Sequence, residues 1–360
     1  MIRTVLLTGG SDWIFVKLVT ITFALIALSR LLPGPNRQVP NYRPRPLRTV
    51  LRCGGGLAAI GLAAGCAVAV GHRAHVPVVR PPVALTVRLG TEPMSYLGVF
   101  EPAEMQSYRP IASFGSAVRR RPNVVVYYSG WLDPFQVRFA QAAFAHGATP
   151  LVQMLPKGIS MAAIAGGRYD GYLRSFADQV RSYRRPVIIG FAPEMNGTWY
   201  SYGWHHTPPE TWVAAWRHVV TLFRAREARN VTWLWVVNRS NASMGPLRDY
   251  WPGAAYVNWI GIDGYYYGPG DTFPATFGPT IDTVRTLTHD PVLLSEVAIG
   301  PVAGQTAKLP DLFQGARAYH LLGLVWFDQA QNGGHYHQDW RLEDDPAALT
   351  LFRQEVRRYL

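Results

Sequence analysis

The run Val187-Ile188-Ile189-Gly190-Phe191-Ala192 breaks into Pro193-Glu194-Met195-Asn196-Gly197. The first part is apolar throughout, with no polar alternation. Such a run suits a parallel strand covered on both faces. The second part delivers a carboxylate and an amide just where the strand stops. Seven further runs share this character: Tyr96–Phe100, Val124–Ser129, Pro150–Leu155, Thr232–Val237, Trp259–Gly264, Val292–Glu296 and Leu322–Phe327. Amphipathic segments lie between them, among them Phe135–His146, Tyr169–Tyr183, Glu210–Arg226 and Leu309–Tyr319, and Pro346–Tyr359 follows the last run. Pro208-Pro209 before Glu210 reads as a helix start, with an acidic charge in the first turn. Eight strand–helix units over residues 89–360 predict an α/β fold, the (β/α)8 TIM barrel. A doubly wound open sheet fits less well, because no glycine-rich phosphate loop follows the first run.

In such a barrel the functional residues gather at the C-terminal strand ends. Collected there are Trp131 and Asp133 after the second run, Glu194 and Asn196 after the fourth, Asn238 after the fifth, Asp263 and Tyr265 in the sixth, Glu296 in the seventh and Trp326 in the eighth. Glu194 and Glu296 come from strands facing each other across the mouth. A carboxyl pair is what retaining glycoside cleavage needs: one acid protonates the leaving oxygen, and the other attacks the anomeric carbon. Asp263 and Tyr265 are two apart on a strand, so both point to one side. A tyrosine hydroxyl donated to Glu296 would favour its ionised form. Glu194, raised by apolar neighbours and by the charge of Glu296, would then be the acid. The loop 196–206 carries Trp199, Tyr202 and Trp204 beside it, with the adjacent His205 and His206 read as loop donors rather than metal ligands. No metal site and no organic cofactor are expected.

Composition supports a sugar-facing groove: the 360 residues include 12 Trp, 18 Tyr and 15 Phe. The net charge of +12 would invite a nucleic-acid reading, but its distribution excludes one. Residues 1–80 hold 10 of the 35 basic and 1 of the 23 acidic side chains, so the remainder is near neutral. Residues 1–75 read as an N-terminal membrane-anchor or signal region, with apolar stretches at Trp13–Leu32 and Gly54–Gly71. The arginine-rich loop between them should stay cytoplasmic, which puts the barrel outside. A cleaved signal peptide, or lipidation at Cys66, would export it equally. Residues 76–88 read as a linker. The partners expected are a polysaccharide or oligosaccharide and, through the N-terminal segment, the membrane; the barrel itself is expected to be monomeric. Cys53 and Cys66 are the only cysteines, so the barrel has no disulfide.

The stretches Pro193–Trp199 with Tyr202-Gly203, Trp233–Asn238, Trp259–Tyr265 and Ser295-Glu296 together resemble glycoside hydrolase family 26. The resemblance covers the barrel. It implies a retaining enzyme, endo-β-1,4-mannanase in most members, with some acting on mixed-linkage β-glucan or β-1,3-xylan. By that resemblance Glu194 is the acid/base, Glu296 the nucleophile and Tyr265 its hydrogen-bond partner, while Trp199 and Trp326 contact the reacting sugar. Two departures bear on the substrate. The mannanase pattern has His directly before the acid/base and Arg four residues before it; here these positions are Pro193 and Gly190. A weakly active or non-catalytic polysaccharide-binding barrel, or a transglycosylase, in exopolysaccharide assembly is the alternative.

Overall fold

A computed structural model describes residues 89–102, 107–330 and 338–360. The expected membrane or signal segments and the linker lie outside these residues. Among the described residues no helix is long and apolar enough to cross a membrane. Eight parallel strands close into a barrel in chain order: β1 (Tyr96–Phe100), β2 (Val124–Gly130), β3 (Thr149–Leu155), β4 (Val187–Phe191), β5 (Val231–Asn238), β6 (Trp259–Tyr266), β7 (Val292–Ile299) and β8 (Gly323–Phe327). β8 returns to β1 with Tyr96 opposite Gly323 and Phe100 opposite Phe327. β6 and β7 run further than their apolar cores suggest, because Tyr265 and Tyr266 keep pairing with Ala298 and Ile299.

Alternation along each strand divides the core in two. One set fills the barrel: Tyr96, Phe100, Val124, Val126, Leu151, Ile188, Leu234, Val236, Trp259, Leu293 and Val325. The other set faces the helices. Closure is tight where β1 meets β8. Gly323 has φ 143°, and a Cβ there would lie 1.9 Å from the Tyr96 carbonyl oxygen, so only glycine fits.

The helices are α1 (Arg109–Ala117), α2 (Val137–Ala145), α3 (Met161–Ala165), α4 (Asp170–Tyr183), α5 (Pro209–Ala225), α6 (Phe273–Thr276), α7 (Gly278–Arg285), α8 (Gln305–Ala318) and α9 (Pro346–Tyr359). α5 starts on Pro209 with Glu210 in its first turn and buries Trp212, Ala215, Trp216, Val219 and Phe223, a helical stripe. α9 is capped by Asp345, whose side chain accepts from the amides of Ala347 and Ala348. α8 begins four residues before the expected Leu309 and carries Pro310 within it.

One expectation is corrected by the eighth strand. Trp326 does not face the mouth. It is fully buried between barrel and helices, edge-on to Phe352 of α9 at 5.3 Å, and its indole N–H donates to the Trp340 carbonyl at 3.0 Å. The inward residue is its neighbour Phe327, stacked on Phe100 at 4.8 Å. Trp326 therefore closes the β8–α9 contact. Trp326→Ala should lower the unfolding free energy by about 3–5 kcal/mol, the range for a buried aromatic cut to alanine, read from urea denaturation.

Candidate active site

Two backbone irregularities aim the carboxylates. In β7 the pairing slips beside β6: Ile262 faces Leu294, but Asp263 faces Glu296, so Ser295 is an extra residue. A bulge of this kind turns consecutive side chains to one face. Ser295 and Glu296 both point inward: Ser295 Oγ donates to Asp263 at 2.5 Å, and Glu296 receives two tyrosine hydroxyls. Beyond β4, Ala192 (φ 46°) and Glu194 (φ 55°) are left-handed. Such conformations are costly for non-glycine residues and persist where the surroundings fix them. Here the Ala192 amide bonds the Met154 carbonyl at 2.9 Å and the Glu194 amide the Val236 carbonyl at 3.0 Å.

Each acid is then held by two donors. Tyr265 and Tyr128 each give a hydroxyl to a different oxygen of Glu296. Asn238 gives a side-chain N–H to one oxygen of Glu194 at 2.5 Å, and Trp199 gives its indole N–H to the other at 2.9 Å. Trp199 reaches it by lying across Gly197, where a Cβ would meet the indole ring at 2.3 Å.

Burial pushes both carboxyls up. Glu296 rises to about 7, first through desolvation and then through the charge of Glu194, against the lowering by Tyr128 and Tyr265. Glu194 is also raised by desolvation, while Asn238, Trp199 and the charge of Lys157 pull the other way. Asp263 is held far above its ordinary range by burial and by both glutamates. The expected lowering of Glu296 by its tyrosine partner is outweighed by desolvation, so both carboxyls are raised. Donors support the ionised form of both acids, and the charge of Glu194 opposes ionisation of Glu296.

The other expected residues divide. Asn238 and Tyr265 touch the carboxylates. Asn196 is a buried brace: its amide group accepts from the Asn238 amide at 2.9 Å and donates to the Asn238 carbonyl at 2.8 Å. Buried inside the site, Asp263 bonds Ser295. Tyr202 is fully buried and stacks under Tyr200 at 4.9 Å, so it supports the loop instead of presenting a face to sugar. Trp204 packs over Gly245 and beside His205. Trp131 packs edge-on to Tyr169 and Tyr172 at the α4 end, at 5.5 and 5.1 Å. Tyr202 and Trp326, both fully buried, are thus packing residues, whereas Trp131 and Trp204 remain partly exposed.

Four residues not picked from the sequence belong here: Tyr128, Lys157, Phe327 and Trp340. Trp340 lies 4.8 Å from the Tyr265 ring and Phe327 5.8 Å from it. Tyr128 was readable in principle, since a polar ring ends an otherwise apolar strand. The β1 and β8 ends also bring Glu101 and Asp328 together with Glu343, their oxygens within 4.8 Å of one another. Burial raises Glu101 to about 7 and Asp328 to about 9, and the two bond each other.

A closed (β/α)8 barrel with inward carboxyls at the ends of β4 and β7 is a scaffold of the glycosidase type. The family model for glycosyl hydrolase family 26 matches residues 159–354, and the chain belongs to that family. Endoglucanase H of Acetivibrio thermocellus is 27% identical over 263 residues, 68% of this chain and 29% of that protein. A β-1,3-xylanase, TXYA, of a Vibrio species is 27% identical over 181 residues, 46% of this chain and 37% of that one. The chain thus spans between 29% and 37% of the length of these curated relatives. Among solved structures, the catalytic domain of a Bacillus sp. JAMB-750 GH26 endo-β-1,4-mannanase superposes with a TM-score of 0.57 at 14% identity, covering 73% of this chain and 85% of that one. A GH26 β-mannanase from Bacteroides ovatus, BoMan26A, gives 0.53 at 15% identity, covering 73% and 88%. At such identities the likeness establishes the fold.

The raised Glu296 has a stability consequence. Unfolded, its carboxyl titrates near the ordinary 4.5; folded, at about 7. The native state therefore binds more protons between these values, and stability falls as pH rises through that window. Glu296→Gln removes the charge. Its unfolding free energy relative to wild type should increase from pH 4.5 to pH 7 and level off above, as measured by urea titrations across that range. The opposite slope would mean that Glu296 is ionised cheaply in the fold.

Proposed function

We propose that the barrel is a retaining endo-β-glycosidase acting on a β-linked polysaccharide, with Glu296 as nucleophile and Glu194 as acid/base. The observation that carries this reading is the pair of half-buried carboxyls at the ends of β4 and β7, each fixed by two donors, with the charge of Glu194 raising the cost of ionising Glu296. In the first step Glu194 protonates the glycosidic oxygen as a Glu296 oxygen bonds the anomeric carbon and the leaving-group bond breaks. Esterified Glu296 no longer carries charge, so Glu194 loses its repulsive neighbour and its carboxylate becomes a base. It takes a proton from water, whose oxygen displaces Glu296 and restores the starting configuration. Tyr128 and Tyr265 stabilise Glu296 whenever it is ionised. The division of roles follows the place of each acid in the family's motifs, Glu194 in the turn Pro193–Asn196 and Glu296 after Ser295.

β-Mannan is the first substrate to try, with mixed-linkage β-glucan and β-xylan beside it. Gly190 bears on the choice. A Cβ there would lie 2.2 Å from the side-chain oxygen of Gln153, so that amide fills the space an arginine would need. The barrel is proposed to act as a monomer outside the cytoplasm, tethered or secreted through its N-terminal region. Recovery of the full-length protein in the soluble cytoplasmic fraction of its own cell would contradict that placement.

Reducing-sugar release from the three polymers, with product anomers followed by NMR, tests the activity. Glu194→Ala should lose about 100- to 10,000-fold, the usual contribution of general acid–base catalysis, and lose less on aryl glycosides that leave without a proton. Glu296→Ala should be inactive and should form an inverted glycosyl azide when azide is added to an activated substrate. Binding without release from any polymer would favour the non-catalytic barrel, and transfer to sugar acceptors over water would favour a transglycosylase.

A further inference from the structure

On each side of the site a cation sits on a tyrosine that adjoins a donor to one of the candidate carboxylates. On the Glu194 side, Lys157 follows β3, and its ammonium lies 5.1 Å from the centroid of the Tyr200 ring. Tyr200 neighbours Trp199, the Glu194 donor. Lys157 feels the charge of Glu194, while desolvation lowers its pKa. On the Glu296 side, Arg239 follows Asn238 at the end of β5, and its guanidinium lies 5.5 Å from the centroid of Tyr267. Tyr267 is two residues beyond Tyr265, the Glu296 donor, and its ring packs 5.8 Å from Tyr265.

Arg239 is the more telling of the two. Its backbone amide is fixed to the Asp263 carbonyl at 2.8 Å, so its Cα belongs to the rigid mouth. Its side chain is half-buried. Among the described residues its guanidinium makes a ring contact and no hydrogen bond or ion pair. The nearby acid Asp271 is occupied elsewhere, accepting the amides of Tyr267 and Gly268 at 2.6 and 3.0 Å. A guanidinium carries five donors in a fork that matches a carboxylate, and an aromatic face orients it without using them.

We infer, building on the glycosidase reading, that the substrate is an anionic polysaccharide, with sugar carboxylates next to the cleaved bond read by Arg239 and Lys157. The charge balance supports this. A site containing an ionised glutamate repels an acidic chain, and cations on both flanks offset that repulsion. A neutral glycan gives a half-buried arginine only hydroxyl acceptors, whereas a uronate carboxylate accepts two of its N–H groups at once.

The probes are β-1,4-mannan and mixed-linkage β-glucan oligosaccharides and the same oligosaccharides oxidised at C6 to carboxylates. Binding is measured by calorimetry in a Glu296→Gln background, so that it does not depend on turnover. The expected result is at least about tenfold tighter binding of an oxidised series than of its neutral parent, weakening in high salt as paired charges do. Arg239→Gln should remove most of this preference, Arg239→Lys should keep part of it, and Lys157→Gln should reduce it further; thermal unfolding confirms that the variants fold. Neutral chains binding as tightly as oxidised ones, failure of both oxidised series to bind, or a preference that survives loss of both cations would overturn the inference. If wild type cleaves no glycan while the Arg239-dependent preference is present, the glycosidase reading falls and the anionic ligand stands.

Discussion

Two carboxyls brought into one half-buried barrel mouth repel each other, and each loses hydration on entering it. That double cost is the constraint to which the rest of the site answers. Burial alone would leave both protonated and inert near neutral pH. The fold counters it with directed donors: two tyrosine hydroxyls on Glu296, and an amide and an indole N–H on Glu194. Even so Glu296 stays near 7. Desolvation still raises both carboxyls, and the two donors on each favour its ionised form. Asp263, raised by burial and by both glutamates and tied to Ser295, adds a polar wall beside them.

The donors work only because the backbone departs from regular geometry at two places. Without the extra residue in β7, Ser295 and Glu296 would face opposite sides of the sheet, and one of the Asp263 and tyrosine contacts would be lost. Without the left-handed turn at Ala192 and Glu194, the chain leaving β4 would not keep bonding both neighbouring strands while turning the glutamate inward. The surrounding aromatic loop holds that turn: Trp204 donates its amide to the Met195 and Gly197 carbonyls, both at 2.8 Å. Strain at the acid and packing of the loop are therefore one device.

The strands were legible because a parallel strand buried on both faces is a continuous apolar run. The same property hid which residues face inward. In Val325-Trp326-Phe327 both faces are apolar, so the larger ring was assigned to the mouth, whereas alternation from Val325 sends Phe327 in and Trp326 out. In Tyr127-Tyr128 a similar ambiguity concealed a direct partner of Glu296. Tyr265 was legible because Asp263, two residues earlier, fixed its side. The shortest helices, α3 with five residues and α6 with four, are too brief to show a helical apolar period in the sequence. Trp131, Tyr202 and Asn196 sit where residues after a strand should bind ligand, yet the loops that carry them fold back, and their side chains stabilise those loops.

The layer beneath the carboxyls is filled by side chains from neighbouring strands. Two glycines, Gly190 and Gly261, leave it without side chains of their own, and polar groups from adjoining strands fold across them: Gln153 over Gly190 and Ser295 over Gly261. Ser295 finds Asp263. Among the described residues the Gln153 oxygen has no hydrogen-bond partner. The mouth above it is therefore built on a different floor from one with an arginine at position 190, while the carboxylates and their donors are untouched. The carboxylates and their donors are fixed by strand ends, and the layer beneath them by which side chains fill the space that glycines leave.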